Sequence, residues 1–175
     1  DTAYQPQARL HLQEARVMAG RMTACIDLLR RNDAARRAFQ LGQQAMLIQR
    51  RWGSGKDRDE LQWRPFQLAF QLLGIPGLVE PSWEGRPTEE RLTMDLLWFP
   101  TGGGKTEAYL GLIAFLLIHR RLRQGPRPDD GAGVTAVMRY TLRLLTVQQF
   151  ERASRMVLAC EHLRREATRR GDSSL

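Results

Sequence analysis

The stretch that most constrains this chain is Phe99-Pro100-Thr101-Gly102-Gly103-Gly104-Lys105-Thr106, which stands between two apolar segments. Consecutive glycines let successive N–H groups turn inward around an anion, and a helix starting at Lys105 would aim its positive end at the same point. In such a cradle Lys105 reaches the β- and γ-phosphates of a nucleotide as a point charge, and the Thr106 hydroxyl is placed to ligate Mg²⁺. Thr101, Gly102, Gly103 and Gly104 then supply the surrounding phosphate contacts, with Glu107 beside them. Glycine-rich strand-to-helix turns also occur without ligands, so the flanking context decides. A second string, Gly53-Ser54-Gly55-Lys56-Asp57, has no apolar strand before it and an acid where the hydroxyl should stand. It reads as a solvated loop.

The flanks fit. Thr93 to Phe99 is short and apolar and is bounded by Pro100, as a buried strand should be. Lys105 to Arg123 reads as a helix apolar on most faces, hence one packed against a sheet. Gly125 to Gly133 is a loop, Gly133 to Met138 a second strand, and Thr146 to Arg170 a second long helix with Phe150, Ala153, Val157 and Cys160 on one face. Strand, helix, strand, helix at these lengths predicts parallel strands joined by right-handed crossovers. Upstream, Arg9 to Arg51 reads as two or three helices, with Met18, Met22, Cys25 and Leu29 at helical spacing. Residues 52–60 form a loop and subdomain boundary. A short helix runs from Pro65 to Leu73, stopped by Gly74 and Pro76, and Pro76 to Arg91 is loop.

Phe99 to Tyr109 (FPTGGGKTEAY) and Met138 to Phe150 (MRYTLRLLTVQQF) together resemble superfamily 2 helicases, nearest to the helicase subunits of the DISARM anti-phage system. The general phosphate-loop pattern wants glycine at position 99. The helicase version tolerates Phe99 and keeps the Thr101 to Thr106 core. The resemblance spans residues 65 to 170 and implies an α/β fold: a partial P-loop RecA-like domain with parallel strands and flanking helices, preceded by an α-helical N-terminal segment. Residues 1–60 are then the helical segment, and 61–175 the first part of helicase domain 1, ending before motif II. Arg64-Pro65-Phe66-Gln67 is similar to the Q motif, which implies that Gln67 reads adenine; a carboxamide can pair with adenine N6 and N7. Residues 138–150 match motif Ia, implying that Arg139, Thr141, Arg143 and Gln149 hold nucleic-acid phosphates. Arg143 paired with a local acid is the plain alternative. The implied cofactors are ATP and Mg²⁺, with Lys105 and Thr106 the catalytic pair and Thr106 the metal contact. The implied partners are DNA, with RNA still open, the remainder of the helicase chain including a second RecA-like domain, and a defence-system subunit.

Hydrolysis also needs an Asp–Glu pair at a strand end. Asp59-Glu60, Glu89-Glu90 and Asp129-Asp130 do not follow apolar strands, so this segment alone is expected to hydrolyse ATP poorly. Two other readings remain: a non-catalytic nucleotide-binding or partner-docking domain, and a small P-loop kinase. His11, His119 and His162 are dispersed, and Cys25 and Cys160 show no metal spacing. Trp63, Phe66 and Phe70 either wall an adenine pocket or anchor their helix. Charge bears on partners: 27 Lys+Arg against 19 Asp+Glu leave +8, which suits a polyanion. Only Lys56 and Lys105 are lysines, and codon bias toward arginine would give the same count. The apolar run from Ala108 to Ile118 is too short to span a bilayer, which takes roughly 20 residues, and no export signal is evident; a cytoplasmic protein is expected.

Overall fold

The structure, a computed structural model, describes residues 4–54, 61–79, 96–98, 100, 102–123, 133–139, 143–172 and 175. Five helices carry it: α1 (Gln5–Arg31), α2 (Asp33–Ser54), α3 (Pro65–Val79), α4 (Lys105–Leu122) and α5 (Arg143–Arg169). The break between α1 and α2 is a single residue. Asn32 leaves helical geometry, its N–H still bonds Leu28 O at 2.9 Å, and its Oδ1 accepts Ala35 N–H at 2.9 Å. One asparagine thus ends a helix and caps the next.

α4 packs against α2, α3 and α5 and shares both core clusters. In the first, Phe115 and Ile118 meet Cys25, Leu28 and Leu29 of α1, Ala35 and Ala38 of α2, and Ile75 and Val79 of α3. In the second, Leu110 and Ala114 meet Ala45 and Met46 of α2 and Met156, Ala159 and Leu163 of α5. Gly42 lets α2 come close: a Cβ there would lie 3.2 Å from the Phe115 backbone nitrogen. Beneath α4 a buried polar chain runs from the Trp63 indole N–H to Gln43 Oε1 (2.5 Å), and from Gln43 Nε2 to Gln71 Oε1 (2.9 Å).

The expected α/β architecture, a partial RecA-like domain with parallel strands, is not what the chain forms. Among the described residues there is no strand; the fold is all-helical. Residues 96–98 and 134–139 lie without regular structure, Trp98 87% and Val137 84% exposed, and among the described residues the backbone bonds outside helices join neither segment to another. An apolar run becomes a strand only if a neighbour takes its N–H and C=O groups. Here Arg120 donates instead to Val134 O (3.1 Å) and Thr135 Oγ1 (2.7 Å). The all-round apolarity of α4 signalled burial correctly, but helices rather than a sheet provide it.

Other boundaries also shift. α3 continues through Gly74 and Pro76 to Val79, because Ile75 and Val79 are buried in the core and outweigh the bond Pro76 cannot donate. On α5 the inward face is Met156, Ala159 and Leu163; Phe150 and Val157 point outward, and Cys160 packs at the edge. The stripe on α1 is buried only toward its C-terminal end, residues 4–20 being exposed throughout. The loops expected around 55–60, 80–91 and 124–132, residues 93–95 and 99 of the first strand, and all three candidate carboxylate pairs lie outside the described residues.

His119 is buried, stacked on Phe115 with ring centroids 5.4 Å apart, and its Nε2 has no partner. Burial, and then the nearby Arg123, lower its pKa from 6.5. The unfolded chain therefore binds this proton at a higher pH than the folded one, so stability should fall as pH drops below about 6.5 and stay level above it. Urea midpoints across this window should show that loss in the wild-type protein and a shallower one in His119→Gln; equal slopes would refute the assignment.

Candidate functional site: a glycine turn at the foot of the central helix

The site begins with the cap of α3. Arg64 stands at the N-cap, Pro65 at the first helical position and Gln67 two residues further. Gln67 Oε1 accepts the Arg64 backbone N–H at 2.8 Å, which is half of a capping box. Its Nε2 donates to Gly104 O at 2.8 Å. Arg64 Nη1 in turn donates to Gly103 O at 3.0 Å. The start of α3 thus holds two carbonyls of the glycine turn.

Gly102 (φ +80°) and Gly104 (φ +91°) adopt left-handed backbone, a conformation most side chains resist. Gly103 N–H bonds Pro100 O at 3.1 Å, closing the turn, and Lys105 Nζ reaches the same carbonyl at 3.2 Å. α4 starts at Lys105, and its N-cap, Gly104, makes no side-chain bond to the first turn, at the positive end of the dipole. A Cβ on Gly104 would meet Gln67 Nε2 at 2.6 Å. This position is restricted twice, by its φ and by its neighbour.

Beside the turn opens a cavity of about 330 Å³, at the small end of the range usual for ligand sites. Met46, Leu61 and Trp63 give it an apolar wall; among the described residues that line it, Arg50, Arg64, Arg152 and Arg155 bring four cations and Glu107 the one acid. Glu107 is paired with Arg152 at 3.0 Å, tying α5 to the first turn of α4. Arg155 is paired with Glu151 at 3.1 Å. Among the described residues no cluster of His, Cys, Asp or Glu is able to hold a metal ion, and no helix is long and apolar enough to cross a membrane.

Of the residues expected to meet a nucleotide, Gln67, Gly102, Gly103, Gly104, Lys105 and Glu107 come together here; Thr106 follows in the first turn of α4, and Thr101 lies outside the described residues. The Gln67 carboxamide makes one bond from each end to the protein, leaving one N–H and one lone pair. Of the three aromatics, Trp63 lines the cavity, whereas Phe66 and Phe70 face another cleft with Leu96, Leu97 and Trp98. The nucleic-acid set is dispersed: Arg139 is exposed, Gln149 is half-buried with an unpartnered Oε1, Arg143 opens α5, and Thr141 lies outside the described residues. Arg64 was named in the sequence only as part of the string similar to the Q motif, and Arg50, Arg152 and Arg155 were not singled out. For Arg50 the signal was there: Met46, Gln49, Arg50 and Gly53 recur at helical spacing on one face.

No family model matches the chain. It is 53% identical over 119 residues to the DISARM protein DrmA of Bacillus paralicheniformis, an alignment covering 66% of this chain and 10% of that protein. The chain thus spans about a tenth of the length of the curated relative it matches. Its closeness to DrmA agrees with the resemblance drawn from the motif strings.

Gly104→Ala should cost about 1–2 kcal/mol for the backbone, and Gln67→Ala about 1–3 kcal/mol if the polar groups it serves stay dry. Because both act on one contact, the double variant should lose less than the sum. Denaturant midpoints of the four proteins check this, and strict additivity would mean that the contact is not made.

Proposed function

We propose that this chain is the ATP-binding part of an ATP-dependent superfamily 2 DNA helicase or translocase that serves in anti-phage defence of the DISARM kind. One observation carries the nucleotide reading: two left-handed glycines ahead of the central helix, held from behind by Gln67 and Arg64, beside a cavity rich in arginine. The donor set fits a triphosphate with Mg²⁺. Gly102 to Gly104 would offer main-chain N–H groups, Lys105 would exchange the Pro100 carbonyl for phosphate oxygens, and Thr106 would hold the metal together with the phosphates. When bound, ATP supplies the free energy of cleaving its β–γ bond. The defence role and the helicase class follow from the likeness to DrmA and to helicase motif strings.

DNA contact is the part assigned to Arg139, Thr141, Arg143 and Gln149, acting on phosphates without reading bases. A second motor domain and a defence-system subunit are the expected partners. A non-catalytic nucleotide-binding role for the segment taken alone is the second reading, favoured by one fact: Glu107, the single acid among the described residues that line the cavity, is already paired with Arg152 and is not free to orient water. Hydrolysis then needs carboxylates from elsewhere in the protein.

In the protein as encoded, ATPase activity should rise on adding DNA, and Lys105→Ala should lower it by about a hundredfold or more without changing the denaturation midpoint. ATPase activity indifferent to DNA, or surviving in Lys105→Ala, would sink the motor reading.

A further inference from the structure

We infer that the N-terminal helical layer completes the nucleotide site, with Arg50 of α2 contacting the phosphate chain. The inference rests on the reading of the cavity given above. α2 turns Met46, Gln49, Arg50 and Gly53 toward the cavity that Gly102 and Gly104 also line. The other arginines there are engaged: Arg152 with Glu107, Arg155 with Glu151, and Arg64 with the Gly103 carbonyl. Arg50 has no hydrogen bond or ion pair among the described residues, and its Nε is buried without an acceptor.

A guanidinium cannot discharge by losing a proton, and a buried N–H without an acceptor is costly. The Nε is closed off from solvent, so an incoming group meets Arg50 at its terminal nitrogens, on the cavity side. A ligand for those nitrogens must present oxygen inside the cavity and carry negative charge to offset the surplus of arginine. Phosphate does both, and its oxygens match the planar fork of donors. The cavity also has an apolar side, Leu61 and Trp63, whose indole N–H is spent on Gln43 and leaves the ring face for a base. A nucleotide with its base on that side and its phosphates toward the glycine turn would meet both the terminal nitrogens of Arg50 and the apolar wall.

The test is equilibrium binding of a fluorescent ATP analogue to the protein as encoded, with inorganic tripolyphosphate and adenosine as competitors. Arg50→Ala should weaken binding of the analogue and of tripolyphosphate by about tenfold or more, leave adenosine competition unchanged, and flatten the salt dependence. Arg50→Lys, which keeps the charge but not the fork, should recover only part. Denaturation midpoints confirm folding; should Arg50→Ala not fold, Arg50→Gln takes its place. Lys105→Ala, run in parallel, separates the two claims. If the wild type does not bind the analogue, or Lys105→Ala binds it as well as the wild type, the reading of the cavity falls and the inference with it. If Lys105→Ala loses binding while the Arg50 variant binds analogue and tripolyphosphate like the wild type, the role of Arg50 alone is refuted.

Discussion

Burial of α4 on three sides is the constraint from which the rest follows. Its inward residues, from Ala108 to Ile118, are shared between two core clusters, so α2, α3 and α5 are positioned by packing on the same rod. A helix fixed in this way cannot retreat from its own N-terminus. The positive end of its dipole and its first N–H groups are held in place before any ligand arrives. Such pre-organisation lowers the cost of binding, because the site does not have to be ordered at the moment of association.

The glycine turn would still be free to fold elsewhere were it not tied from behind. Gln67 and Arg64 hold the Gly104 and Gly103 carbonyls, which points those peptides' oxygens toward α3. Gln67 does this from the third position of its own helix while also satisfying the N-cap N–H. Capping α3 and anchoring the turn are therefore one interaction, and a residue at 67 that does only one of them would leave a polar group of the other unpaired.

The parts of this arrangement legible in sequence were the local ones. Lys105 as the start of a helix and the helical character of residues 9–51 follow from residue type and spacing, whereas a place for Gln67 beside the glycine turn was implied by the helicase resemblance and the break at Asn32 was not read from the sequence. The sheet did not, because an apolar run such as 93–99 reports a preference for burial and says nothing about which backbone will pair with it. Phe150 and Val157 were placed inward for a similar reason: helical spacing defines a stripe, but neighbours decide which of two adjacent stripes faces the core. The spacing of Met46, Gln49, Arg50 and Gly53 marks one face of α2, but nothing in the sequence says that this face crosses the foot of α4, so the role of Arg50 could not be read from it.

Net charge acts through its placement. Arg30, Arg36, Arg164 and Arg165 each sit three or four residues from an acid on the same helix, and Glu161, bonded by both Arg164 and Arg165, has its pKa held at about 2. Exposed pairs of this kind are worth roughly 0.3–0.5 kcal/mol and leave little net field. At the foot of α4, by contrast, the described residues of the cavity bring four arginines and one acid beside an apolar wall, where screening is weaker than in open solvent. A cavity of about 330 Å³ can admit a mononucleotide but not a duplex, which needs an open surface for its spaced phosphates. The same basic excess that in the bare sequence pointed toward nucleic acid therefore points, at this site, toward a compact phosphate-bearing ligand.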